Sequence, residues 1–94
     1  MNKQWTPLIH QEYTFSLRRV VADGDRYQLG VAIWEQLIEV EDPTTGAKPV
    51  PNRLGRFSVV ILGYLVTFEV PVDADGNILK EANTIRLLPI EIPS

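Results

Sequence analysis

The chain has 94 residues, with 9 Lys+Arg against 12 Asp+Glu for a formal net charge of −3, and it contains no cysteine. That length holds one hydrophobic core, and the missing thiols exclude disulfides and thiolate metal sites. The acidic balance argues against a dedicated duplex-DNA binder, whose affinity comes from neutralising phosphates, and the longest uncharged apolar run, residues 57–68, is too short to span a bilayer.

Residues 1–11 read as a short lead without the apolar run and small-residue cleavage site of a signal peptide, so a soluble cytoplasmic protein is expected. Val, Ile and Thr supply 24 of the 94 residues, a bias toward side chains that pack well on a pleated surface. Over residues 12–17, Tyr13, Phe15 and Leu17 alternate with Glu12, Thr14 and Ser16, which is the two-residue period of a half-buried strand. The phase slips at Arg18–Arg19, as a β-bulge would make it do. Asp23-Gly24-Asp25 is turn chemistry, and Tyr27, Leu29, Val31 and Ile33 line a returning strand, so residues 12–33 are expected as a β-hairpin.

Residues 29–42, LGVAIWEQLIEVED, admit two readings. As a helix, Leu29, Ala32, Ile33, Leu37 and Val40 share a face; as a strand to about Val40, Trp34, Ile38 and Val40 point inward. The strand is favoured because no N-cap residue precedes the helical pattern. Residues 43–56 form a long loop carrying Lys48, Arg53 and Arg56 without an acid, and Pro43, Pro49 and Pro51 stiffen it. Residues 57–70, FSVVILGYLVTFEV, are apolar on both faces and read as one strand that is central, part of a barrel, or also met by a partner chain. A turn at Asp73-Ala74-Asp75-Gly76-Asn77 and a closing strand over 84–92, with Pro89 at an edge or a bulge, complete the chain. The expected fold is a mainly β single domain over residues 1–94: a small five-stranded antiparallel barrel or sandwich of OB or SH3-like kind, with at most one short helix.

Catalytic chemistry is sparse. His10 is the single histidine, none of the serines has a glycine-flanked nucleophile setting, and no glycine loop suits a phosphate. Asp73-Ala74-Asp75 resembles the start of a calcium loop but lacks the closing glutamate, so it reads as a turn capping its own backbone. No cofactor, metal or catalytic residue is expected.

The leading expectation is a non-enzymatic protein-interaction or structural and regulatory module, using the stiffened basic loop and the apolar strand, with a protein partner or a second copy of itself. The binding residues are Arg18, Arg19, Lys48, Arg53, Arg56 and Trp34, with Trp5 as a further aromatic anchor. The alternative is a small β-barrel binding single-stranded nucleic acid by aromatic stacking beside arginines, and a carboxylate-dependent enzyme is a third reading. No membrane partner is expected.

Overall fold

The computed structural model describes residues 5–93. Its elements in chain order are β1 (Thr6–Ile9), α1 (Gln11–Arg19), α2 (Arg26–Ile33), β2 (Lys48–Pro49), β3 (Arg56–Ile61), β4 (Tyr64–Glu69) and β5 (Thr84–Leu87). The strands form one open sheet in the order β1-β5-β4-β3-β2, with β1 parallel to β5 and the remaining pairings antiparallel. Both helices pack on one face of it. The architecture is therefore α+β, which overturns the expected antiparallel barrel or sandwich with at most one helix.

The correction begins at residues 12–33, which are two helices rather than a hairpin. In α1 the buried residues are Tyr13 and Ser16, with Leu17 and Val20 packed against the core, a spacing of three and four that defines a helical stripe. The slip at Arg18–Arg19 is thus the 3.6-residue period of a helix and no bulge. His10 serves as N-cap, its Nδ1 accepting the Glu12 N–H, while Glu12 in the first turn and Arg18 and Arg19 in the last complement the helix dipole.

The helical alternative for residues 29–42 is the one adopted in its first half. Leu29, Ile33 and Leu37 are buried along α2, which continues past Ile33 into a wider turn over Trp34–Ile38, closed by the Glu39 N–H on the Trp34 carbonyl. The extra residue in that turn lets the consecutive Leu37 and Ile38 both enter the core.

Residues 57–70 are likewise two strands. Leu62 and Gly63 both have positive φ, 51° and 84°, and form a two-residue turn that pairs Ile61 with Tyr64. The turn shifts the face parity, so Phe57, Val59 and Ile61 of β3 join Tyr64, Val66 and Phe68 of β4 on the side facing the helices. Phe57 and Phe68, directly opposite in register, stack at 5.9 Å between ring centroids. On β5, Ile85 and Leu87 continue the same buried face. Beyond it the register slips by one residue, so that Leu65 pairs with Glu91 and Leu88–Pro89 form the expected bulge.

Three polar devices hold the helices in place. The buried Ser16 hydroxyl donates to the Tyr13 carbonyl at 2.7 Å and accepts the Ile90 N–H at 2.8 Å, tying α1 to the segment after β5. Arg26 ends α1 from outside: Nε donates to the Leu17 and Val21 carbonyls and Nη2 to that of Arg18, while Nη1 pairs with Asp23. Tyr64, at the tip of the β3–β4 hairpin, donates to Asp25 at 2.8 Å and accepts the Ala22 N–H, anchoring the link between the helices. Gly55 is fixed by a close approach: with φ at +85°, a Cβ there would lie 2.7 Å from the Val70 carbonyl oxygen.

Two stability changes are expected. Ser16→Ala leaves the buried Ile90 N–H without its partner and lowers the unfolding free energy by about 1–3 kcal/mol, read as a lower urea midpoint. Leu62→Asn relieves a left-handed leucine that is largely in water and raises stability by about 1 kcal/mol in the same assay.

Candidate functional site

The sheet face turned away from the helices carries no second layer of helix or strand among the described residues, and the strand register orders its side chains into rows. The first row crosses four strands as Arg56, Glu69, Arg86 and Leu8. The second is Lys48, Ser58 and Thr67. The third is Val60, Leu65 and Glu91, with Leu62 in the adjoining turn. The face thus grades from charged at one end, through hydroxyls, to apolar at the other.

At the charged end Glu69 stands between two arginines. Arg56 donates from Nε at 3.0 Å and from Nη2 at 2.9 Å to Glu69 Oε2, and Arg86 Nη1 lies 3.9 Å from Oε1. Arg56 and Glu69 are half-buried, so their pair is less screened than a fully exposed one, whereas Arg86 is largely in water. A shallow cleft of about 290 Å³ adjoins the trio, walled by Leu8, Leu54, Val70, Pro71 and Thr84. At the apolar end Val60 is 55% exposed, one residue pair from the β3–β4 turn and beyond the pairing of β3 with β2.

The six binding residues read from the sequence separate into two pairs and two single residues. Lys48 and Arg56 share the uncovered face, which they reach through the Lys48–Ser58 pairing and the two-residue spacing along β3. Arg53 lies in the turn before β3 and lines a hollow with Pro49, Asn52 and Phe57, which Arg56 also borders. Arg18 and Arg19 stand on the outer side of α1, in the helical layer, across the molecule from Lys48 and Arg56. Trp34 is exposed at the end of α2, where Tyr27 and Val31 precede it on the same helical face. Trp5 is no surface anchor: it is buried, with its N–H on the Ile38 carbonyl and Nε1 on that of Glu41.

Sequence reasoning missed Glu69, Arg86, Val60 and Leu65 as members of a single face. One signal was present, since Glu69 is the lone charge in an otherwise apolar run and such a residue needs a cation opposite. Among the described residues Ser16 is the one buried polar side chain, and no cluster of three His, Cys, Asp or Glu could hold a metal. Asp73 accepts the N–H groups of Asp75 and Asn77, and these bonds hold its carboxyl below the ordinary value, as in a self-capped turn.

An open mixed sheet with two helices on one face and a graded, uncovered opposite face defines the class of this protein. No protein-family model matches the sequence, and none of the curated proteins matches it significantly. In three dimensions it is similar to a chain from the crystal structure of the toxin–antitoxin complex RelBE2 of Mycobacterium tuberculosis, with a TM-score of 0.73 at 16% identity, over 99% of this chain and 98% of that one. The likeness is one of fold. No helix among the described residues is long and apolar enough to cross a membrane.

Glu69→Gln is expected to weaken the trio of the first row, lowering stability by about 1 kcal/mol in low salt. The difference from the parent should shrink in 1 M salt, as urea unfolding at the two ionic strengths will show.

Proposed function

We propose that this protein is a protein-interaction subunit of the toxin–antitoxin kind, which binds a partner polypeptide on its uncovered sheet face and acts in the cytoplasm without catalysing a reaction. The observation that carries this function is the composition of the face. Val60 and Leu65 form an apolar patch at one end of the face, beside hydroxyl and charged rows, and interfaces commonly set such a patch against polar surroundings. The fold adds support, because the similar chain was solved within a toxin–antitoxin complex. The absence of catalysis is proposed because candidate groups are committed elsewhere. His10 Nδ1 caps α1, the Ser16 hydroxyl uses both its donor and its acceptor, and Glu69 is held by Arg56 and Arg86.

A single-stranded nucleic acid is the second reading, favoured by Lys48, Arg56 and Arg86 lying on one face. It is weaker because Glu69 already neutralises part of that charge, and Glu91 adds a second negative charge to the same face.

The test compares the full-length protein with Val60→Lys as baits, identifies captured proteins by mass spectrometry, and measures purified partners by calorimetry. The proposal expects a partner of micromolar or better affinity whose binding weakens at least tenfold in Val60→Lys. Equal capture by both baits, or tighter and steeply salt-dependent binding of a labelled oligonucleotide, would overturn it.

A further inference from the structure

The outer face of α1 carries two cations that no carboxylate pairs among the described residues. Arg18 and Arg19 occupy the last helical turn, where basic side chains commonly cap free carbonyls or offset the helix dipole. Capping is already done. Arg26 takes the carbonyls of Leu17, Arg18 and Val21, and the Val20 N–H closes onto the Ser16 carbonyl. Among the described residues neither Arg18 nor Arg19 has an ion-pair partner, although the chain carries a net charge of −3.

A dipole role would explain the two charges but not their neighbour. Phe15, three and four residues before the arginines, points out beside them and is 48% exposed. Phe15, Arg18 and Arg19 alone line a hollow of about 300 Å³ on the helix surface. Tyr13 and Ser16, which face inward, supply the packing that α1 needs, so an exposed aromatic between two guanidinium groups contributes nothing evident to the core.

We propose that this face binds an acidic amphipathic segment of a protein partner, placing an apolar side chain on Phe15 and carboxylates on Arg18 and Arg19. This proposal rests on the protein-binding function above but assigns a different surface and a stated chemistry. Charge complementarity selects the occupant. Guanidinium groups pair with carboxylates through forked hydrogen bonds, and carboxylates three or four residues apart on a helix match two arginines separated by little more than one side chain. A nucleic acid or an anionic membrane is a poorer match. Two cations release few counterions, whereas polybasic membrane contacts use about four to eight lysines or arginines.

The experiment titrates the ¹⁵N-labelled full chain with a blocked 14-residue synthetic peptide, helix-forming and with Glu and Leu on one face, in low salt and in 0.3 M salt. The control peptide has the same composition, scrambled so that Glu and Leu no longer share a face. Saturable shifts confined to α1 and the Arg18 and Arg19 Nε signals are expected, with the Kd rising about tenfold in Phe15→Ala and in the Arg18→Gln/Arg19→Gln double variant. The double variant changes only exposed side chains and keeps the test sound if Phe15→Ala loosens the helix. Val60→Lys must bind the peptide like the parent, which separates failure of this site from failure of the sheet-face function. The proposal is overturned by absent shifts, equal shifts with the scrambled peptide, or a footprint away from α1. It is also overturned if an unlabelled second copy of the chain, or a 12-nucleotide oligothymidylate, gives the same α1 footprint at lower concentration than the peptide.

Discussion

Everything in this fold follows from how much sheet two short helices can cover. Five strands at about 4.8 Å spacing make a surface roughly 20–24 Å wide, and two helices of about 10 Å diameter side by side span nearly the same distance. The helical layer therefore closes one face and leaves nothing for the other. Burial decides which face is which, since Phe57, Val59, Ile61, Val66, Phe68, Ile85 and Leu87 turn inward together in the register observed, and a one-residue slip would turn a strand's set outward. That register in turn fixes Arg56, Glu69, Arg86, Val60 and Leu65 on the open side. Side-chain alternation thus makes the same pairing responsible for both the core and the candidate surface.

A layer of two short helices has few apolar contacts to spare, and the polar ties matter accordingly. Ser16 and Tyr64 join segments far apart in sequence, Arg26 ties α1 to the start of α2, and each satisfies backbone groups that the chain would otherwise leave unpaired. Their effect is to hold α1 against the sheet with its outer face, bearing Phe15, Arg18 and Arg19, turned to solvent. The molecule presents two distinct faces to solvent: a graded sheet on one side and a basic, aromatic helix on the other.

The sequence made parts of this legible and hid others for definite reasons. The turn at Asp73–Asn77 was readable because local chemistry dictates it, whereas Pro89 marked an edge or a bulge and strand pairing chose between them. The stripe of Leu29, Ile33 and Leu37 was visible as one of two patterns, and tertiary packing chose between them. Residues 12–17 misled because Phe15, an aromatic, points outward while Ser16, a hydroxyl, points inward, and the reason for Ser16 is an amide 74 residues further along. The break in residues 57–70 was hidden because leucine, not the usual asparagine, takes the left-handed position before Gly63. The row Arg56–Glu69–Arg86 depends on the pairing of three strands, which local pattern cannot specify. Lys48 and Arg56 were singled out as charges in a loop, yet their shared direction comes from β2 and β3 pairing.

The central claim is that the uncovered sheet face is where a partner polypeptide sits. Hydroxyl-radical footprinting of the protein, free and in complex with its captured partner, addresses it at the level of side chains. The expected result is strong protection of Leu8, Val60 and Leu65 in the complex, with Tyr27 and Trp34 labelled as in the free protein. Equal labelling of Leu8, Val60 and Leu65 in both states would contradict the account.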